Sequence, residues 1–349
     1  MAKNCIGVDI GSSAIKVVQV KTSKRGVQLV NFGIEPVPPQ SIVDGSMMNA
    51  SAVADAISSI FSQLKIRNKD IALAIAGHSV IIKKISVPTM TRDELEEQIH
   101  WEAEHHIPFP KDEVELDHQI LDPAGTGGNQ MEVLLVAAKK EVVTDYTDAA
   151  LQAQLNPCVV DVGAFALQNC FETNYGKSDE TVALLNVGAS ISTLNIVHQG
   201  ESAFTRDVTI GGNAYTEEIQ KQLNIGYEEA EAYKCGGTAG DEVIPREVEE
   251  ILTQQAEVMA GEFQRSFDFY LATTAEGQID RVFLSGGSAK VPALREAIET
   301  RARIPVELLN PFKGIDVDES TFDMDYVTEQ APMAAVALGL ALRYEGDNL

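Results

Sequence analysis

The sequence has few of the residues that build disulfide frameworks, metal centres or nucleophilic active sites. It has 4 cysteines among 349 residues, and none forms a CxxC pair or lies at metal-ligand spacing from a histidine. We therefore expect reduced thiols of a cytosolic protein. His100, His105 and His106 have spacings that do not share one helix face, and no HExxH motif accompanies them. Walker A loops and nucleophile elbows are absent as well, which removes the simplest NTPase and hydrolase classes.

Basic residues are also scarce. The chain has 27 Lys and Arg against 52 Asp and Glu, a formal net charge of −25. This balance argues against nucleic acid and anionic lipid as partners, since both attract basic patches. The longest apolar stretch near the end, residues 331–342, is too short to span a bilayer, and the first residues lead directly into a predicted strand. We expect a cytoplasmic protein without a signal peptide or a membrane anchor of its own.

One pattern occurs twice in this sequence. Residues 6–18 and residues 184–194 each contain an apolar strand, an Asp or Asn, a glycine, small or hydroxyl residues and a second apolar strand. Each copy predicts a β-hairpin whose tight turn exposes backbone N–H groups and hydroxyls. Such a turn can hold a phosphate. Two copies suggest two related halves that close on one polyphosphate.

The first turn supplies candidate ligands for phosphate and metal. Asp9 ends a buried strand and can hold Mg²⁺, usually through water. Gly11 allows close approach of the backbone, and Ser12 and Ser13 can donate hydrogen bonds. Lys16 either adds a positive charge there or faces solvent. The second turn repeats the arrangement with Asn186, Gly188, Ala189 and Ser190.

Three further segments follow in order. Gly211 and Gly212 precede a predicted helix and offer a third contact with phosphate. Glu231 and Lys234 lie one helical turn apart, so they either bracket a ribose or form an ordinary ion pair. The third segment follows a strand and allows a flat base to lie against the backbone; its residues are Gly286, Gly287 and Ser288.

The order of elements predicts a duplicated α/β protein with an insertion. The predicted units are a first subdomain (1–77 and 158–180), an inserted βαββα domain (78–157) and a second half (181–349) with a helical subdomain at about 213–275. Thr91 and Glu94 form a capping box that predicts the start of a helix. Flexible tips are expected at 123–129 and 236–240, and a final helix at roughly 327–343.

This order of motifs resembles the actin-like (ribonuclease H-like) ATPase superfamily, which includes actin, sugar kinases and the cell-division protein FtsA. The resemblance implies ATP and Mg²⁺ as cofactors, and it places residues 161–167 and 331–339 as connecting motifs. Asp161 falls where catalytic relatives have a Glu or Gln that positions the attacking water. Because Asp161 is shorter and Asn186 is neutral where an Asp is usual, we expect slow or absent hydrolysis.

Within the superfamily, the opening residues 7–18, the inserted module and the segment 103–110 resemble the PilM family of type IV pilus assembly. That resemblance implies a scaffold that binds the N-terminal cytoplasmic peptide of the inner-membrane protein PilN, contacts other pilus-machinery proteins including assembly ATPases, and reaches the membrane only through PilN. Segment 80–121 is our hypothesis for the peptide site. The alternatives are an FtsA-like self-assembling filament and, less favoured, a metabolite kinase, for which the sequence shows no convincing catalytic base.

Overall fold

The computed structural model describes residues 4–121, 129–177, 179–237, 244–274 and 277–347. The strands are β1 Ile6–Ile10, β2 Ala14–Ser23, β3 Gly26–Pro36, β4 Ile42–Val43, β5 Ser46–Met47, β6 Asp70–Ile75, β7 Val80–Pro88, β8 Val114–Ile120, β9 Gln130–Lys139, β10 Asn156–Val162, β11 Val182–Val187, β12 Ser192–His198, β13 Glu201–Val208, β14 Arg281–Ser285 and β15 Val306–Leu308. The helices are α1 Ala50–Gln63, α2 Arg92–His106, α3 Lys140–Gln152, α4 Gly163–Tyr175, α5 Asn213–Leu223, α6 Tyr227–Lys234, α7 Arg246–Thr273, α8 Pro292–Ala302, α9 Met324–Gln330 and α10 Ala335–Ala341.

Two sheets share one topology. The strand order is β10-β6-β1-β2-β3 in the first sheet and, from the corresponding edge, β15-β14-β11-β12-β13 in the second. In both sheets the leading hairpin is antiparallel, and the strands on its other side run parallel to the first strand. Equivalent strands occupy equivalent places, so the predicted duplicated actin-like fold is confirmed.

The inserted unit between β6 and β10 contains an antiparallel sheet of order β7-β9-β8. Helix α2 covers one face of this sheet, with Leu95, Ile99 and Ala103 in the shared core. The helix begins where the sequence predicts, because Thr91 accepts from the Glu94 N–H while the Glu94 side chain accepts from the Thr91 N–H. The apolar face of α3 packs into the core that contains α1. The domain boundaries stay a prediction.

The expected single helix at 327–343 is wrong. The structure has α9, a 3-10 turn at Ala331–Ala334 and then α10. Pro332 lacks the N–H that a continuous α-helix requires at that position, and its carbonyl oxygen accepts a hydrogen bond of 2.7 Å from the Gly286 N–H. Of the two expected tips, residues 122–128 and 238–243 lie outside the described residues.

Helix α10 is buried along its length and packs on β1 and α4 at very short range. A Cβ on Gly7 would lie 1.9 Å from the Ala337 oxygen, and a Cβ on Gly339 would lie 1.7 Å from the Ala166 oxygen. Only glycine fits at either position. This packing fixes the strand ends that carry the first turn.

Candidate functional site

The two repeated turns meet across a small cavity between the halves. Both turns close in the same way, since the Gly11 N–H donates to the Ala14 oxygen and the Gly188 N–H donates to the Ile191 oxygen, each at 3.1 Å. The hydroxyl oxygens of Ser12 and Ser190 are 2.8 Å apart. The cavity measures about 110 Å³, and its lining includes the predicted residues Asp9, Gly11, Ser12, Ser13, Lys16, Asn186, Gly188, Ala189 and Ser190.

An ion pair stands at the first turn. Asp9 and Lys16 are directly opposite on β1 and β2, and the Lys16 Nζ lies 3.1 Å from the Asp9 carboxylate. A Cβ on Gly11 would be 2.6 Å from the same Nζ, so the ammonium lies directly over the backbone of the turn. A positive charge, three serine hydroxyls and an exposed backbone form a donor set that fits an anionic group such as phosphate.

Close backbone approaches in the second half depend on glycine. The Gly188 oxygen accepts from the Gly212 N–H and from the Ser288 hydroxyl, both at 2.9 Å. A Cβ on Gly211 would lie 2.6 Å from the Gly188 oxygen, and one on Gly286 would lie 2.3 Å from the Val187 oxygen. The structure therefore brings the three predicted glycine segments of this half to one place.

Glu231 and Lys234 form the ion pair that the sequence allowed. Their charged atoms are 2.6 Å apart, and the Thr216 hydroxyl donates to the same Glu231 oxygen. The Lys234 ammonium also donates to the Gly212 oxygen at 3.4 Å. The pair thus packs against the glycines of this half (the glycine cluster, which is Gly188, Gly211, Gly212 and Gly286) and not on a remote surface.

Sequence reasoning missed three residues at this site. Thr193, the β12 counterpart of Lys16, lines the cavity and donates to Asp207, whose other oxygen accepts from the Gly77 N–H at 2.5 Å. Tyr146 also lines the cavity, and burial, with a smaller contribution from Asp9, raises its pKa to about 12. Aligning the two hairpins residue by residue identifies Thr193, whereas no local signal marks Tyr146 or Asp207.

The metal ligands are sparse. Asn186 Oδ1 accepts from the Ser285 hydroxyl at 3.2 Å. Among the described residues no group of three or more His, Cys, Asp or Glu side chains could hold a metal ion. Asp9 is the carboxylate that lines the cavity, so a metal there would depend on water and on the oxygens of its ligand.

Asp161 does not belong to this cavity. Its carboxylate accepts from Arg343 at 3.0 Å and from the Val162 N–H at 2.7 Å, and its side chain is buried. Burial raises the pKa of Asp161 more than the Arg343 charge lowers it, with further increases from Asp347 and Asp117. Asp161 lines a second cavity together with its neighbours Val160 and Val162, so the predicted water-positioning role has no support from the geometry.

That second cavity is a groove of about 790 Å³ between the inserted sheet and the β10–α4 segment. Its floor is apolar and consists of Leu134, Val136, Ala138, Val160 and Phe165. Its charged lining is mainly acidic, because seven carboxylates face three cations, Arg92, Lys177 and Arg343. Arg343 is itself held by Asp161 and Asp347. The groove is suited to an apolar segment with positive charge.

No helix within the described ranges combines the length and the apolarity needed to cross a membrane.

Comparison with known proteins agrees with this architecture. The chain is similar to a solved PilM-PilN type IV pilus biogenesis complex, with 29% identity, a TM-score of 0.87 and coverage of 98% of this chain and 99% of that chain. It is 21% identical over 345 residues to the cell division protein FtsA of Streptococcus pneumoniae, which covers 87% of this chain and 75% of FtsA. MreB5 of Spiroplasma citri bound to ADP shares the fold, with 13% identity, a TM-score of 0.53 and coverage of 97% of this chain and 94% of that one.

The model of the family "Type IV pilus assembly protein PilM" matches residues 7–345. Since that match spans nearly all of the two halves and the inserted unit, the chain belongs to the PilM family of type IV pilus assembly proteins.

Proposed function

We propose that this protein is an ATP-binding scaffold of the type IV pilus machinery that holds the N-terminal cytoplasmic peptide of PilN. The observation that carries the proposal is the groove of about 790 Å³ with its apolar floor and acidic lining. A similar chain occurs in a PilM-PilN complex. Binding to PilN recruits the protein to the cytoplasmic face of the inner membrane, where it contacts other machinery proteins such as assembly ATPases.

ATP belongs in the cavity between the two turns. Lys16 and the serine hydroxyls of both turns bind and orient the phosphates, and the glycine cluster with the Glu231–Lys234 pair holds the nucleoside. Mg²⁺ would be held near Asp9 and would neutralise phosphate charge. Asn186 gives the cavity a neutral amide where a second carboxylate could stand, and Asp161 lines the larger groove instead. We therefore expect tight binding with slow or absent hydrolysis.

Calorimetric titration with a synthetic PilN N-terminal peptide, with and without Mg-ATP, tests the proposal. We expect micromolar or tighter binding. The variant Val136→Glu places a charge on the groove floor and should weaken binding by at least about tenfold, since desolvating an unpaired carboxylate costs several kcal/mol. Val30→Glu is the matched control, because Val30 is exposed on β3 and does not line the groove.

Two results would contradict the proposal. Absence of peptide binding in both conditions would remove the scaffold function. In that case, nucleotide-dependent sedimentation that rises with protein concentration would favour an FtsA-like filament. Phosphate release stimulated by a small metabolite would instead favour a kinase.

A further inference from the structure

Two exposed segments at one end of the first sheet carry positive charge in this strongly acidic chain. One segment is the tip of the β2–β3 hairpin, and the other is the connection from α1 to β6. Together they contribute six exposed cations, which are Lys21, Lys24, Arg25, Lys65, Arg67 and Lys69. These six residues are called the basic pole. None of them forms an ion pair with another residue in the part of the chain that the structure describes.

The pairing of the central strands brings the two segments to the same place. Strand β1 begins between them, because its first residues pair with Ile71 of β6 on one side and with Val18 of β2 on the other. Lys69 directly precedes β6, and the hairpin tip lies beyond Val18, so both segments lie past the same end of the sheet. The turn at Gly11 follows the other end of β1. The basic pole is therefore remote from the phosphate-binding turns.

Local structure directs these cations outward. Lys24 and Arg25 form the tip of the hairpin, where the Ser23 hydroxyl accepts from the Arg25 N–H at 3.1 Å. In the other segment the side chain of Ile66 is buried in the core of the first half, and its neighbours on both sides are exposed. None of the six cations lines the cavity between the turns or the groove described above. The basic pole is thus a surface of projecting side chains.

The negative groups beside the basic pole leave an excess of positive charge. Three carboxylates border it, at the start of β6, beside β3 and in the carboxyl-terminal tail, which are Asp70, Asp316 and Glu345. The six cations outnumber these three carboxylates. Salt screens charges separated by more than about 8 Å at physiological ionic strength, so more distant carboxylates have little effect on the local field. The net charge of −25 therefore does not describe this surface, and composition alone does not decide its partner.

We propose that the basic pole binds the anionic headgroups of a phospholipid bilayer. Projecting cations at one end of a sheet match a planar and diffuse array of phosphates, and each Lys or Arg near such a surface strengthens binding roughly fivefold. Neither segment has an aromatic side chain on which a nucleic-acid base could stack, which favours lipid over nucleic acid. The contact goes beyond the proposed function, because it needs no bound peptide and gives the protein a second attachment to the membrane.

Flotation of the full-length protein with lipid vesicles tests the proposal. At about 50 mM salt the protein should float with vesicles of phosphatidylglycerol and phosphatidylcholine in equal parts, because screening is weak at this ionic strength. It should not float with vesicles of phosphatidylcholine alone. Raising the salt to about 500 mM should release the protein from the anionic vesicles.

Neutral variants show whether the basic pole makes the contact. Replacing the three cations of either segment with glutamine should weaken the apparent affinity for anionic vesicles at least about tenfold. The hairpin variant combines Lys21→Gln, Lys24→Gln and Arg25→Gln, and the connection variant combines Lys65→Gln, Arg67→Gln and Lys69→Gln. The control removes the same charge from exposed positions of the second half, and its substitutions are Lys221→Gln, Arg246→Gln and Arg295→Gln. The control should change the affinity less than about twofold.

Acetylation of lysine side chains, followed by mass spectrometry, locates the contact directly. Saturating anionic vesicles should slow the acetylation of Lys24 and Lys69 at least about threefold, because the headgroups cover both ammonium groups. Lys83 and Lys221 are exposed on other elements and should react at an unchanged rate.

Four results would overturn the inference. They are an absence of flotation at low salt, flotation that both triple variants leave unchanged, binding of duplex DNA in place of vesicles that both variants abolish, and sedimentation without vesicles that rises with protein concentration and is lost in both variants. The third result would assign the basic pole to nucleic acid, and the fourth to a second copy of the chain. Both variants should bind the PilN peptide as the unsubstituted protein does, so the loss of lipid binding would leave the proposed function intact.

Discussion

The charge of Lys16 determines how strongly the first turn attracts an anion. Its ammonium lies over the backbone at Gly11 and contacts Asp9 at 3.1 Å. Without a ligand, the pair neutralises itself. With a phosphate in the cavity, the same ammonium would lie between two negative groups, the Asp9 carboxylate and the phosphate.

We expect Lys16→Met to weaken Mg-ATP binding by about tenfold or more, since a charge-assisted hydrogen bond contributes roughly 1.5–3 kcal/mol. Isothermal titration measures the change. Lys21→Met is the control, because Lys21 lies at the exposed end of the same strand. Equal affinities of the two variants would show that Lys16 does not contact the nucleotide.

The buried Asp161–Arg343 pair predicts a pH-dependent stability effect. Removing the guanidinium leaves Asp161 buried beside Asp117 and Asp347, which both raise its pKa. We expect Arg343→Met to lower the free energy of unfolding by about 3–5 kcal/mol near pH 8, as broken buried pairs do.

The direction in which this cost changes with pH follows from proton binding. A carboxyl whose pKa is raised by folding binds more protons in the folded state than in the unfolded state, so its contribution to stability falls as the pH rises between the two pKa values. The cost of Arg343→Met should therefore shrink toward pH 5. Denaturant titrations at several pH values measure it, and the double variant Asp161→Asn with Arg343→Met should recover most of the loss. A cost that does not vary with pH would contradict this account.

At the scale of single elements, the start of α2 offers a local test. Thr91 and Glu94 exchange hydrogen bonds, and the bonds from Thr91 lower the pKa of Glu94. We expect Thr91→Ala to destabilise the inserted unit by about 1 kcal/mol at pH 7.

The loss of stability caused by Thr91→Ala should become smaller as the pH falls. A carboxyl with a lowered folded-state pKa stabilises the fold above its unfolded pKa, and this contribution disappears as the pH falls through the folded value. Hydrogen exchange in α2 measures the loss of stability at pH 7, and urea melts measure it near pH 3. Thr144→Ala, at an exposed position of α3, is the control and should cost nothing. Equal losses at both pH values would mean that Thr91 stabilises α2 through the bond that its hydroxyl accepts from the Glu94 N–H, without a contribution from the Glu94 carboxylate.

The sequence predicted elements wherever local chemistry decides them. The capping box at Thr91 gave the start of α2, and alternation gave the strands of both hairpins. The prediction of a continuous final helix failed because Pro332 and the bond that its carbonyl oxygen accepts from Gly286, in the turn after β14, interrupt the helix. The placement of Asp161 depends on its buried ion pair with Arg343, and no local pattern in the sequence indicates a partner so distant along the chain.

The difference between local and long-range contacts also explains which residues of the site the sequence predicted. Glycine and serine patterns indicated the turns because backbone geometry restricts those positions to a few residue types. Asp207 escaped notice because its partners, Thr193 and Gly77, belong to different halves of the chain. Residues that act through the closed arrangement of two halves leave no periodic signal in one sequence.

For the whole molecule, contacts across the cavity hold the halves together. Asp207 connects β12 with Gly77, and His78 Nε2 lies 2.7 Å from the Thr209 hydroxyl. We expect Asp207→Ala to open the molecule in the absence of nucleotide, seen as a larger radius of gyration in small-angle X-ray scattering. Saturating Mg-ATP should restore the smaller value, because nucleotide bridges both turns.

Asp55→Ala is the comparison variant, since Asp55 is exposed on α1 and far from the cavity lining. A radius of gyration unchanged by Asp207→Ala would show that the remaining contacts suffice to keep the halves closed.

The packing of α10 has a consequence for synthesis on the ribosome. This helix comes from the last part of the chain, yet it fills the space beside β1 and α4 where Gly7 and Gly339 leave room for it. The amino-terminal sheet therefore emerges from the exit tunnel long before the element that covers it. Contacts of such long sequence separation form slowly. The nascent first half therefore keeps an apolar face exposed until α10 has been synthesised, and exposed apolar surface of this kind makes a folding intermediate prone to aggregation.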